Sequence, residues 1–179
     1  MTTSVQLDRI HERFNGWDVD GDGHIDRSDC DAESKRILRA FGEAPASPRA
    51  RALTDAYLGM WHFFADKAGI DQDNGQLTPQ QFNDIVEEHV LRNGGEGFDK
   101  VVRPAIQALV KLADEDADDQ ISPAEFKTWL DAVEVDSIEP AEAFRQIHAN
   151  GDGELSIDEL VQAVRAYHLG EIDVPLLGR

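Results

Sequence analysis

Two twelve-residue stretches constrain this chain most: DVDGDGHIDRSD at 18–29 and DEDADDQISPAE at 114–125. Each puts side-chain oxygens at loop positions 1, 3 and 5, a backbone carbonyl at 7, a polar residue at 9 and a carboxylate at 12. That ring of oxygens suits a hard cation, which takes roughly six to eight of them at about 2.3–2.6 Å. Both stretches carry an isoleucine at position 8, Ile25 and Ile121. Aligning on that apolar residue finds two more members, IDQDNGQLTPQQ at 70–81 with Leu77 and HANGDGELSIDE at 148–159 with Leu155. Position 8 is where two such loops meet in a short two-stranded contact. The expected pairs are therefore the first loop with the second and the third with the fourth.

The flanks read as helices. Leu7, Ile10, Phe14 and Trp17 recur at three- and four-residue steps before the first loop, and Ile106, Leu109, Val110 and Ala113 do so before the third. Phe126, Trp129, Leu130 and Val133 follow the third loop, and Leu160, Val161, Val164 and Tyr167 follow the fourth. Thr78-Pro79-Gln80-Gln81 and Ser122-Pro123-Ala124-Glu125 have the form of capping boxes with proline at the first helical position. Ser47-Pro48 reads as another helix start, and Pro104 predicts a bend or a late start in the helix entering the third loop. The fold class is all-α, with about eight helices. Three glycines at 94, 95 and 97 mark the best boundary, giving an N-terminal pair over 1–92 and a C-terminal pair over 98–179.

The net charge of −19 arises from 36 acidic against 17 basic residues, and 17 of the acidic ones fall inside the four loops. Such a field repels nucleic acid and anionic membranes. Carboxylates crowded into loops repel one another, and a cation is the simplest compensation. There is no apolar run near the roughly 20 residues that a membrane span needs. The N-terminus lacks the layout of a signal peptide, so the expected location is cytoplasmic. Cys30 is alone and reads as a half-buried helix residue.

These parts resemble the EF-hand superfamily, and in their order and length the bacterial calerythrins of the sarcoplasmic calcium-binding protein type. The likeness covers essentially the whole chain: the opening helix ending in FNGWDVDGDG, the altered second loop, the glycine linker, the loops at 114 and 148, and the tail IDVPLLG. The resemblance implies a compact all-helical protein with paired EF-hands, a non-binding second loop and calcium in the other three. This chain departs from it twice, with His148 opening the fourth loop and Asp119 replacing glycine at position 6 of the third.

The expected ligands in the first loop are Asp18, Asp20, Asp22, the carbonyl of His24 and the closing Asp29, with Asp26 at the water position. Asp29 is one methylene shorter than the usual glutamate, which predicts a smaller site open to competition from magnesium. In the third loop they are Asp114, Asp116, Asp118, the carbonyl of Gln120 and Glu125. Asp119 there must adopt a left-handed backbone. The second loop has Ile70, Gln72 and Gln81 at positions 1, 3 and 12, and reads as a structural partner; a shifted register through Asp71 and Asp73 would forfeit the Gly75/Leu77 alignment. The fourth keeps Asn150, Asp152, the Glu154 carbonyl and Glu159, but His148 offers nitrogen to a hard cation. The expectation is two strong calcium sites, one per pair, and a fourth loop kept for pairing.

A monomeric calcium buffer or modulator without enzymatic activity is the first functional reading. A calcium sensor exposes a methionine-rich groove, whereas this chain has two methionines, one of them the initiator, and three tryptophans. The alternative is a sensor that docks a protein target. A dockerin-like interaction module, whose loops also close on aspartate, is disfavoured by the full entering helices. Six scattered histidines, at 11, 24, 62, 89, 148 and 168, form no catalytic motif and read mostly as helix-surface residues. The tail at 173–179 is placed to fill whatever groove remains.

Overall fold

The computed structural model describes residues 1–92 and 96–178, with Glu96 placed by its backbone alone. Among the described residues there are eight α-helices: α1 (Ser4–Trp17), α2 (Arg27–Ala40), α3 (Pro48–Ala68), α4 (Pro79–Val86), α5 (Glu96–Ala113), α6 (Pro123–Ala132), α7 (Pro140–Ile147) and α8 (Ile157–Leu169). A π-helical segment, Glu87–Arg92, continues α4. The helix starts follow from local chemistry. Ser47 accepts the N–H of Ala50 ahead of Pro48, and Thr78 and Ser122 each complete a capping box with the residue three positions on. Asp26 caps α2 in the same way, together with Asp29. α5 does not start late; it runs from Glu96 through Pro104, whose ring removes only the N–H that would bond the preceding turn. The centre of the expected glycine boundary, residues 93–95, lies outside the described residues.

The apolar stripes face one continuous core. Ile10, Phe14 and Trp17 of α1, Ile106, Leu109 and Val110 of α5, and Phe126, Trp129 and Leu130 of α6 all belong to it. α3 packs along α5 and α1 along α8, so the N- and C-terminal pairs share this core. Edge-to-face aromatic contacts tie α1 to α3 and α4, with Trp17 and Phe64 at 5.8 Å and Phe14 and Phe82 at 5.6 Å. Each such contact contributes roughly 0.5–1.5 kcal/mol beyond the burial of area.

Two antiparallel bridges join the loops, Ile25 to Leu77 and Ile121 to Leu155. Each exchanges a pair of N–H to carbonyl bonds of 2.8–3.0 Å. These four side chains are almost fully buried. The tail closes the fold, with Val174, Leu176 and Leu177 buried. The Trp129 indole N–H donates to the Leu176 carbonyl at 2.9 Å. Gly178 turns with φ +98° where a Cβ would stand 3.2 Å from the Val133 carbonyl. Cys30 is fully buried rather than half-buried, and burial pushes its thiol up to about 12.

Candidate metal centre

Three of the four loops share one conformation, built from the same hydrogen bonds. In the first, Asp18 accepts the N–H of Asp22 at 3.1 Å and of Gly23 at 2.9 Å. In the third, Asp114 accepts from Asp118 at 3.3 Å and Asp119 at 2.9 Å. The position-3 side chain accepts the position-5 N–H in all three, through Asp20, Asp116 and Asn150. The position-12 carboxylate then closes each loop by bridging the N–H groups of positions 2 and 9. Glu125 takes those of Glu115 at 2.9 Å and Ser122 at 2.8 Å. Asp29, despite its shorter side chain, takes those of Val19 at 3.0 Å and Asp26 at 2.9 Å. Glu159 does the same for Ala149 and Ser156.

The fold brings together the predicted carboxylates at positions 1, 3 and 5 of the first and third loops, whereas Asp29 and Glu125 stay outside these groups on the N–H groups they bridge. Oxygens of Asp18, Asp20 and Asp22 lie within 4.8 Å of one another, as do those of Asp114, Asp116 and Asp118. Among the described residues these two are the groups of three or more acidic, histidine or cysteine side chains gathered in this way. The His24 ring is partly exposed and turned to the flank of Asp22 at 3.7 Å, so its carbonyl is the group left for the loop. Such a set of converging hard oxygens fits Ca2+. Crowding shows in the protonation equilibria. Burial, then the side-chain bond to Asp114 and the charge of Asp118, hold Asp116 above the usual carboxylate range. For Asp114 burial acts in the same direction, but the N–H of Asp119, the hydrogen bond from Asp116 and further N–H groups outweigh it and hold the acid low. Asp29 is raised, chiefly by burial. Glu154 is raised, first by Asp118 across the loop pair.

The backbone reaches the left-handed region at positions 4 and 6 of all three loops. Glycines take it in the first and fourth, whereas Ala117 with φ +60° and Asp119 with φ +63° take it in the third. Asp119 was expected there; Ala117 was not, although its place at position 4, where the other two loops carry glycine, was the available signal. Each non-glycine residue in this region costs about 1 kcal/mol. Asp119 also pairs with Lys111 on the surface.

The second loop is built differently. Asp71, at position 2, accepts the N–H groups of Asp73 at 3.0 Å and Asn74 at 2.8 Å. These bonds hold it below the usual carboxylate range. Gln81 bonds the N–H of Thr78 at 2.9 Å, a cap within its own helix. The loop instead serves its partner: Arg27 pairs with Asp73, and the Gln76 amide reaches Asp22 at 3.4 Å.

The fourth loop explains its histidine. His148 Nε2 accepts the N–H of Gly153 at 3.1 Å, the bond that Asp18 and Asp114 make in their loops. The imidazole thus reproduces the carboxylate's structural bond without its charge, and Asp152 Oδ1 stands 3.1 Å from the same nitrogen. Sequence spacing exposed the lost charge but not the retained bond.

Helix–loop–helix units that close on twelve-residue acidic loops and join in twos at position 8 define an EF-hand calcium-binding protein. The EF hand family model matches residues 141–164, which is the fourth unit. Calerythrin of Saccharopolyspora erythraea is 40% identical over 178 residues, spanning 99% of this chain and 100% of the relative. The beta chain of a Penaeus sarcoplasmic calcium-binding protein is 24% identical over 118 residues, which is 65% of this chain and 60% of that one. Among solved structures, a calcium-binding protein of Streptomyces coelicolor, described in a study of prokaryotic calcium-mediated regulation, superposes with a TM-score of 0.73 at 29% identity, covering 92% of this chain and 98% of that one. Calcium-loaded apo-aequorin from Aequorea victoria shares the fold, with a TM-score of 0.75 at 19% identity over 93% of this chain and 92% of that one. The chain belongs to the calerythrin family of EF-hand proteins.

Proposed function

We propose that this chain is a non-enzymatic calcium-binding protein with two strong sites, one per pair, that buffers or modulates calcium. The first site consists of Asp18, Asp20, Asp22, the His24 carbonyl and Asp29; the second of Asp114, Asp116, Asp118, the Gln120 carbonyl and Glu125. The observation that carries this reading is the convergence of three carboxylates in each of these two loops. The short Asp29 draws the first site inward and leaves it open to magnesium. The fourth loop, with an imidazole in place of a carboxylate at position 1, keeps its shape for pairing and takes calcium weakly.

The buffer reading rests on the closed core. Met60 is buried among aromatic side chains, and the tail covers Trp129. A sensor reading has one observation in its favour, the Streptomyces relative described with calcium-mediated regulation. A naphthalene-sulfonate dye discriminates between them. A buffer gives the same low fluorescence with calcium and with chelator, whereas a several-fold rise on calcium addition would establish the sensor. No helix among the described residues is long and apolar enough to cross a membrane.

A further inference from the structure

The fourth loop carries Asn150-Gly151, a pair with chemistry of its own. The amide carbon of an asparagine is open to attack by the backbone nitrogen of the next residue, and a glycine there puts no Cβ in the way. Asn-Gly pairs stand at 15–16, 74–75, 93–94 and 150–151. The third lies outside the described residues. Asn15-Gly16 is inside α1, where helical bonding occupies the attacking N–H. The Gly75 N–H is held by the Asp71 carbonyl at 2.9 Å.

Asn150-Gly151 is arranged differently. Both residues are exposed and lie outside any helix. Gly151 turns with φ +74°, with open space where a Cβ would stand. Its N–H donates to no group among the described residues. The histidine at position 1 explains why. At the same place in the third loop the Ala117 N–H bonds Asp114, whose oxygens also accept from Asp118 and Asp119. His148 has Nε2 to offer and gives it to Gly153 at 3.1 Å. The Asp152 N–H meanwhile donates to Asn150 Oδ1 at 3.1 Å. Negative charge develops on that oxygen when the amide carbon is attacked, and a donor already aimed at it lowers the barrier.

We propose that Asn150 is a site of spontaneous deamidation, by which the fourth loop converts its uncharged position 3 into a carboxylate. The Gly151 nitrogen loses its proton and bonds Asn150 Cγ. The Cγ–Nδ2 bond breaks, and Nδ2 takes up that proton and leaves as ammonia. Water then opens the five-membered imide at either carbonyl. One opening gives aspartate; the other reroutes the main chain through the side chain and gives isoaspartate. Aspartate adds a charge to the set that holds Asp152 and Glu159, which tightens calcium binding. Isoaspartate lengthens the main chain by a methylene between positions 3 and 4, which opens the loop. The effect on calcium depends on this loop being the weak site proposed above; the chemistry itself does not.

The test ages the full wild-type chain with chelator at mildly alkaline pH and maps its tryptic peptides by mass. Trypsin places the described pairs on separate peptides, 14–27, 68–92 and 146–165. Peptide 146–165 is expected to gain the mass difference between amide and acid several-fold faster than the other two, and to accept methyl groups from an isoaspartyl methyltransferase. Asn150→Gln, whose longer side chain cyclises far more slowly, loses that gain. An unchanged mass of 146–165, or a gain no faster than that of 68–92, overturns the proposal. Asn150→Asp reads the consequence separately: under native mass spectrometry its third calcium ion is expected to bind about tenfold more tightly than in wild type. Equal affinity overturns the effect on calcium, and the ageing experiment alone decides the modification.

Discussion

His148→Asp puts the account of the fourth loop at risk. His148 Nε2 already accepts the Gly153 N–H at 3.1 Å, while Asp18 and Asp114 make the equivalent bond at 2.9 Å. An aspartate therefore enters a backbone in the conformation of the two other loops, and Glu159 already bridges positions 2 and 9. The change adds the missing position-1 carboxylate at no cost in loop rearrangement, with Asn150 still an uncharged oxygen ligand at position 3. EF-hand affinities run from about 10⁻⁴–10⁻³ M in weak modules to about 10⁻⁷–10⁻⁵ M in sensor sites, depending on ligand charge and rigidity. The substitution is expected to tighten the fourth loop by about 100-fold, within that span. Isothermal titration then shows three tight ions per chain in place of two, and native mass spectrometry shows the same mass increment. Unchanged stoichiometry would refute the reasoning that the position-1 carboxylate is what this loop lacks for tight binding.

Three other outcomes follow from named features. Ala117→Gly removes an exposed left-handed alanine. It should raise calcium-free stability by about 1 kcal/mol, read as a higher midpoint in urea. Leu176→Ala empties a tail position that is 1% exposed; it should cost about 2–5 kcal/mol and increase dye binding as Trp129 is uncovered. His168, depressed to about 4, makes the protein's stability depend on acidity. The unfolded imidazole takes up a proton near pH 6.5 while the folded one resists until about 4, so its contribution is intact above pH 6.5. That contribution falls by about 3 kcal/mol as the pH drops through the window. Urea midpoints of calcium-free wild type and His168→Gln should diverge between pH 6.5 and 4 and run parallel above it.

The features legible in the sequence were those encoded locally. Oxygen spacing within twelve residues located the loops, helical periodicity located their flanks, and position 8 gave the pairings seen at Ile25–Leu77 and Ile121–Leu155. Hydroxyl–proline starts at Ser47, Thr78 and Ser122 placed three helices. Other features depended on contacts distant in the chain. Arg13 reads as one more surface charge, yet it stands three residues after Ile10 and four before Trp17, on the same buried face. His168 holds the corresponding place four residues after Val164 and is buried, against the expectation that the histidines lie mostly on helix surfaces. Only the packing of α1 against α8 decides that these faces meet. The role of His148 was hidden for another reason: a ring nitrogen and a carboxylate oxygen differ in charge but can accept the same N–H.

The central claim is that calcium enters two loops of four. Titrating the wild-type chain with calcium under native mass spectrometry, at free calcium in the micromolar range, reads this directly. Two ions per chain, falling to one in Asp114→Asn, is the predicted result. A third ion bound with comparable affinity, or a single ion in the wild type, would contradict the account.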